Sequence, residues 1–68
     1  MKFIDLMKKI NPNTPIEIYY HDCEFVNQGT AREIKRMYAY DWFLAKKEIV
    51  YIEINEESKA LMITLIKN

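Results

Sequence analysis

Three stretches of the chain alternate apolar residues with the others at a period of two, and no other feature restricts the fold as much. "PIEIYYH" places Ile16, Ile18 and Tyr20 on one face and Glu17, Tyr19 and His21 on the other. "EIVYIEIN" places Val50, Ile52 and Ile54 on one face, and "KALMITLI" does the same with Leu61, Ile63 and Leu65. Successive strand side chains point to opposite faces, so each stretch is a strand with an apolar face to bury. The polar "NEES" between the last two has hairpin length. "CEFVNQG" reads as the hairpin partner of the first strand, ended by the turn formers Asn27 and Gly29.

Something must cover the apolar face made by Ile16, Ile18, Val50, Ile52, Ile54, Leu61, Ile63 and Leu65. Phe3, Leu6, Met7 and Ile10 fall at i, i+3, i+4 and i+7, one stripe of an amphipathic helix. Asp5 lies on its wet side, within reach of Lys8 or Lys9. "NPNTP" stops it: Asn11 tolerates a left-handed cap, and Pro12 disfavours helix in the residue before it. The middle segment, "TAREIKRMYAYDWFLAKK", is harder to read. As one continuous helix it would line a face with Ile34, Met37, Tyr38, Leu44 and Ala45 and set Asp41 in its centre, where an unpaired carboxylate is costly. A break near Tyr40 removes the conflict by making Asp41 the N-cap of a short turn, "WFLAK", with Lys46 and Lys47 at its C-terminal end. Arg32 to Ile34 suit either this helical region or a prolonged second strand.

The expected fold class is therefore α+β: an N-terminal helix, a β-hairpin, a broken helical crossover and a second β-hairpin, the strands forming one mostly antiparallel four-stranded sheet. Residues 1–68 form a single domain. A chain this short buries only about 60% of the surface its unfolded form exposes. Cys23 is the only cysteine, so no disulfide within the chain reinforces it, and a lone thiol fits a reducing compartment. Apolar packing is the remaining source of stability, and half of the residues are apolar.

Charge and hydropathy narrow the setting. "MKFIDLMKKI" is too charged for a secretory leader, and the longest apolar run, "ALMITLI", is strand-sized. The expected location is the cytoplasm, with no membrane partner, and the start at Met1 reads as that of a complete small open reading frame. The net charge of zero provides no global field toward nucleic acid. Residues 30–47 nevertheless hold Arg32, Lys35, Arg36, Lys46 and Lys47 against Glu33 and Asp41, whereas residues 48–57 hold Glu48, Glu53, Glu56 and Glu57 with no cation. Mutual neutralisation in the fold is the simplest outcome.

The helix ending in an Asn/Pro turn ("LMKKINPNTPIEIYY"), the short helical turn running into a strand ("LAKKEIVYIEI") and the closing strand after a polar turn ("KALMITLI") resemble a group of small proteins from phages and prophages of Gram-positive bacteria. "KRMYAYDW" is longer and more aromatic than that pattern. The resemblance implies an accessory role in a host bacterial cytoplasm and supplies no catalytic residues.

The only histidine and only cysteine fall in "HDCE", residues 21–24. On an extended chain His21 and Cys23 share one face and Asp22 and Glu24 the other, giving two metal ligands per face where zinc needs three or four. A homodimer could pool two such pairs; otherwise the segment is a polar hairpin turn. Cys23 has only His21 as a base and no third group to orient it, and Gly29 makes no phosphate loop. The chain reads as a non-enzyme with no metal, cofactor or small-molecule substrate. Arg32, Lys35, Arg36, Tyr40 and Trp42, with Tyr38 beside them, mix cations with rings as single-stranded nucleic-acid binders do. Against this, Ile34, Met37, Tyr38 and Trp42 could pack on the sheet and leave the cations as a solvated rim.

The sheet's second face would show Glu17, Tyr19, His21, Ile49, Tyr51, Glu53, Met62, Thr64 and Ile66, rich in tyrosine and apolar groups. Such a face suits a protein interface, unless one helical segment covers each side of the sheet. The expected function is protein binding, to a partner or to a second copy, through Tyr19, Tyr51, Glu53 and Met62, with Tyr40 and Trp42 as a second patch.

Overall fold

The computed structural model describes residues 1–67. It contains α1 (Phe3–Met7), β1 (Pro15–Tyr20), β2 (Phe25–Thr30), α2 (Ala31–Lys35), a π-type turn (Tyr40–Leu44), β3 (Ile49–Ile54) and β4 (Leu61–Leu65). The strands form one sheet in the order β2-β1-β4-β3. Both hairpins are antiparallel, and they are joined through a parallel β1–β4 pair in which Ile18 lies opposite Ile63. This is an α+β fold with a mixed, mostly antiparallel sheet.

Both helical segments pack on one face. Phe3 and Met7 of α1, Ile34 of α2 and Leu44 of the π-type turn meet Ile16, Ile18, Ile63 and Leu65 of the central strands, and all eight side chains are fully buried. Each such burial contributes on the order of 2 kcal/mol. Among the described residues the opposite face has no helical cover, so the arrangement with one segment on each side does not occur.

Local chemistry explains the boundaries. Asp5 does not pair with Lys8 or Lys9; its carboxylate accepts the Lys2 N–H at 3.1 Å and closes the first turn of α1. Asn11 makes no left-handed cap: its side chain accepts the Asn13 N–H at 2.8 Å while its carbonyl accepts that of Thr14. β2 runs through Asn27 and Gly29 instead of ending there. It stops at Thr30, whose hydroxyl accepts the Glu33 N–H while Glu33 Oε1 accepts the Thr30 N–H, a capping box that makes Ala31–Lys35 helical. A Cβ on Gly29 would lie 3.2 Å from that Oε1, which gives the one glycine a steric purpose.

The crossover solves the Asp41 conflict differently from a cap. The break comes at Arg36 and Met37, and the chain then makes a wide turn in which Ala45 N–H reaches back five residues to Tyr40 C=O at 2.8 Å. The wider turn points Tyr40, Leu44 and Ala45 inward and leaves Asp41, Trp42 and Phe43 outside. Asp41 caps nothing, since the residue before the turn is Ala39. Tyr38 and Trp42 do not pack on the sheet.

A second correction concerns β3. Ile52 and Ile54 lie opposite Ile63 and Leu61, on the side the helices cover, but the helical layer stops short of this edge strand and leaves Val50, Ile52 and Ile54 exposed. An irregularity between Ile49 and Tyr51 also turns Ile49 toward the core. The first residues of the chain run alongside, with Lys2 bridged to Glu48.

Candidate functional site

The uncovered face of the sheet holds a hollow of about 400 Å³. Tyr19 of β1, Tyr51 and Glu53 of β3, and Met62 and Thr64 of β4 line it, with His21 and Cys23 from the β1–β2 turn. The register brings them together: Tyr19 lies opposite Thr64, Thr64 opposite Tyr51, and Met62 opposite Glu53. The four side chains expected to bind a protein, Tyr19, Tyr51, Glu53 and Met62, thus share one concavity. Its volume lies within the range of ligand pockets, but it opens broadly to solvent, with Tyr19, Tyr20 and Tyr51 among its lining residues.

The floor beside the hollow is fixed by Glu17, the one buried charged side chain among the described residues. It accepts hydrogen bonds from Ser58 Oγ at 3.0 Å and Asn55 Nδ2 at 3.1 Å, so the β3–β4 turn is fastened to β1. Tyr19 Oη donates more weakly to the same carboxylate at 3.4 Å. Partial burial, with the Glu17 charge second, raises the Tyr19 phenol above its ordinary value. The phenol therefore stays protonated and able to donate at neutral pH. Phe25 packs edge-on against Tyr19, ring centroids 5.6 Å apart, and is half exposed. The sequence pattern missed Phe25 because the irregularity between Ile18 and Tyr19 resets which β2 residues face outward.

"HDCE" forms the β1–β2 turn at one end of the hollow. Asp22 accepts the Glu24 N–H at 3.1 Å, and Cys23 takes a left-handed φ of 72°. Lys67 closes over the turn, its Nζ 2.7 Å from Glu24 and 3.3 Å from Asp22, while its N–H donates to His21 Nδ1 at 3.2 Å. The Glu24 N–H, before Lys67, holds the Asp22 carboxyl below its ordinary value, and the two carboxylates raise the Lys67 ammonium. Both carboxylates are thus engaged by a cation of the chain itself. Among the described residues no three metal-binding side chains gather at one point.

The second expected patch does not hold together. Tyr40 is only 6% exposed, packed edge-on against Phe3 with ring centroids 5.9 Å apart. Burial, and secondarily the Asp41 charge, raises its phenol. Trp42 is 70% exposed and stacks on Tyr38, itself 81% exposed, at 6.0 Å and 29°. The surface pair is Tyr38 and Trp42, with Tyr40 removed from both the protein-binding and the nucleic-acid sets because the wide turn points it inward. Of the cations, Arg32 is tied to Asn13 Oδ1 at 2.9 Å. Lys35 and Arg36 are exposed and form no ion pair among the described residues.

No helix among the described residues is long and apolar enough to cross a membrane. Comparison with protein-family models, with curated proteins and with solved structures gave no match to this chain.

Proposed function

We propose that the protein is a binding module that docks another protein on the uncovered face of its sheet, and that it is not an enzyme. The observation that carries this reading is the convergence of Tyr19, Tyr51, Glu53 and Met62 in one open hollow on a face without helical cover. Tyrosine and methionine are enriched in the centres of protein interfaces, where rings supply area at little entropic cost. Glu53 and the Tyr19 and Tyr51 hydroxyls supply polar contacts that orient a partner. The exposed free thiol of Cys23 suits a reducing cytoplasm. The phage-like sequence pattern supports reading the module as a phage or prophage accessory that acts on a host or phage protein.

The test is capture of partners by the tagged protein from host lysate, with and without nuclease. A stoichiometric protein that survives nuclease and salt, and is lost on Met62→Lys or Tyr19→Ala, supports the reading, since buried anchors dominate such interfaces. A partner bound equally well by both variants, once they are shown to be folded, refutes this surface.

One observation favours a second reading. The stacked, solvent-facing Tyr38 and Trp42 follow directly on the exposed Lys35 and Arg36, and stacked rings with nearby cations suit single-stranded nucleic acid. Trp42 is the only tryptophan, so its fluorescence reports binding directly. Quenching by an oligonucleotide that weakens steeply with salt and with Arg36→Ala would favour this reading.

A further inference from the structure

The two edges of the sheet are treated differently. On β2, the Ala31 N–H to Thr14 C=O bond sets a pairing parity that turns the amides of Gln28 and Thr30 outward. Both are taken up by side chains: Gln28 N–H by Asn27 Oδ1 at 2.7 Å and Thr30 N–H by Glu33 Oε1 at 2.8 Å. That edge is closed. On β3, the Asn55 N–H to Ala60 C=O bond sets the parity that aims Tyr51 and Glu53 at β4 and turns the amides and carbonyls of Ile52 and Ile54 outward. Among the described residues no side chain or neighbouring segment takes up these amides. Ile49 N–H is satisfied by Met1 C=O at 2.9 Å, so the open edge runs from Val50 to Ile54 with Ile52 at its midpoint. Natural sheets blunt such an edge with charge, proline, a bulge or cover. Here lysine, proline and cover are absent among the described residues, and Glu53 is the one charge between Val50 and Ile54. The irregularity lies before Tyr51, which leaves Tyr51–Ile54 regular.

We infer that the edge of β3 pairs antiparallel with β3 of a second copy about a twofold axis at Ile52, which joins two four-stranded sheets into one. The charges around the strand select this occupant and register. At the start of β3, Lys46, Lys47 and Lys2 outnumber Glu48, which is itself paired with the Met1 ammonium, and Glu56 and Glu57 follow the strand. Antiparallel pairing brings the basic end of each copy to the acidic end of the other. The same register sets Tyr51 opposite the partner's Glu53, Val50 opposite its Ile54, and Ile52 against itself with two reciprocal backbone hydrogen bonds. A register centred on Glu53 would instead oppose two like carboxylates, and a parallel pairing would align lysines with lysines; both are unfavourable. The exposed Val50, Ile52 and Ile54, which the helical layer does not cover, gain apolar neighbours. This pairing uses the edge of the strand and holds whether or not the hollow on the face takes a protein.

Sedimentation equilibrium of the full chain over a wide concentration range tests the pairing. A concentration-dependent dimer is expected. Ile52→Pro should return it to monomer with an unchanged circular dichroism spectrum, because proline there removes an outward amide and no bond to β4. If that variant does not fold, Ile52→Lys places a charge on the same edge. In a Cys23→Ser background, oxidation should cross-link copies carrying both Tyr51→Cys and Glu53→Cys, and should not cross-link copies carrying Glu53→Cys alone. A monomer at every concentration overturns the inference, as does a dimer that survives a folded edge variant or efficient cross-linking through Glu53→Cys alone.

Discussion

Replacing Glu17 with alanine is expected to release the β3–β4 turn from β1 and lower stability markedly for so small a change. The Glu17 carboxylate accepts hydrogen bonds from Ser58 Oγ at 3.0 Å and Asn55 Nδ2 at 3.1 Å. A hydrogen bond to a charged acceptor is worth about 1.5–3 kcal/mol. Ser58 is exposed and Asn55 half-buried, so water recovers part of each bond when the acceptor is lost. Taking the lower value for both bonds and subtracting about 0.5 kcal/mol each for rehydration gives a net cost of about 2 kcal/mol. For a domain of this size that corresponds to a fall in Tm of about 8–16 °C. Glu17→Gln keeps one carbonyl acceptor and a group able to meet the Ser58 hydroxyl, so it should cost about half as much. Thermal unfolding by circular dichroism measures both, and a double-mutant cycle with Ser58→Ala should show coupling of at least about 0.5 kcal/mol. Zero coupling, or a Glu17→Ala Tm within experimental error of the parent, would refute the role given to this carboxylate.

Three further outcomes follow from the geometry. Asp22 and Glu33 have folded-state values held below their ordinary 3.8 and 4.5, each chiefly by a backbone N–H, so their stabilisation is complete above those values and is lost as pH falls below them. Urea midpoints should therefore drop from about pH 4.5 downward, and Glu33→Gln, which preserves the cap without titrating, should flatten that drop. Lys59 holds a left-handed φ of 62° in the β3–β4 turn, and Lys59→Gly should leave Tm unchanged or raise it by a few degrees; a clear loss would contradict that conformation. Tyr40→Ala should cost about 3 kcal/mol by emptying a core site, whereas Trp42→Ala should stay within about 0.5 kcal/mol, and equal losses by thermal denaturation would contradict the wide turn.

The strands were legible because a period of two leaves little choice: Ile16, Ile18, Ile63 and Leu65 fall where alternation puts them. Tyr19, Tyr51, Glu53 and Met62 followed as the other face of the same strands. Alternation carries no information about irregularities, and the two in this sheet moved Ile49 inward and brought Phe25 out beside Tyr19. Nor does it say how far the helices reach, so Ile52 and Ile54 were placed on the correct side of the sheet but, like Val50, wrongly beneath a cover. The conflict at Asp41 was visible in the sequence. Its resolution by widening the turn was not, because helix patterns assume one residue spacing throughout, and this hid the inward path of Tyr40.

The parallel pairing of β1 with β4 also governs the order in which the protein assembles. Each hairpin can close locally, but the two central strands are separated in sequence by β2, the whole crossover and β3. During synthesis, the first hairpin and both helical segments emerge before the strand that joins the halves, and Ile63 and Leu65 leave the ribosome after the other described core side chains. Until then Ile16, Ile18 and Phe3 lack their central partners. Contacts this distant in sequence slow folding, since the entropy of closing the chain is lost before the contacts form. An interrupted nascent chain ending before Leu61 would lack the middle of its sheet, leaving β1 and β3 with unpaired inner edges open to aggregation and proteolysis.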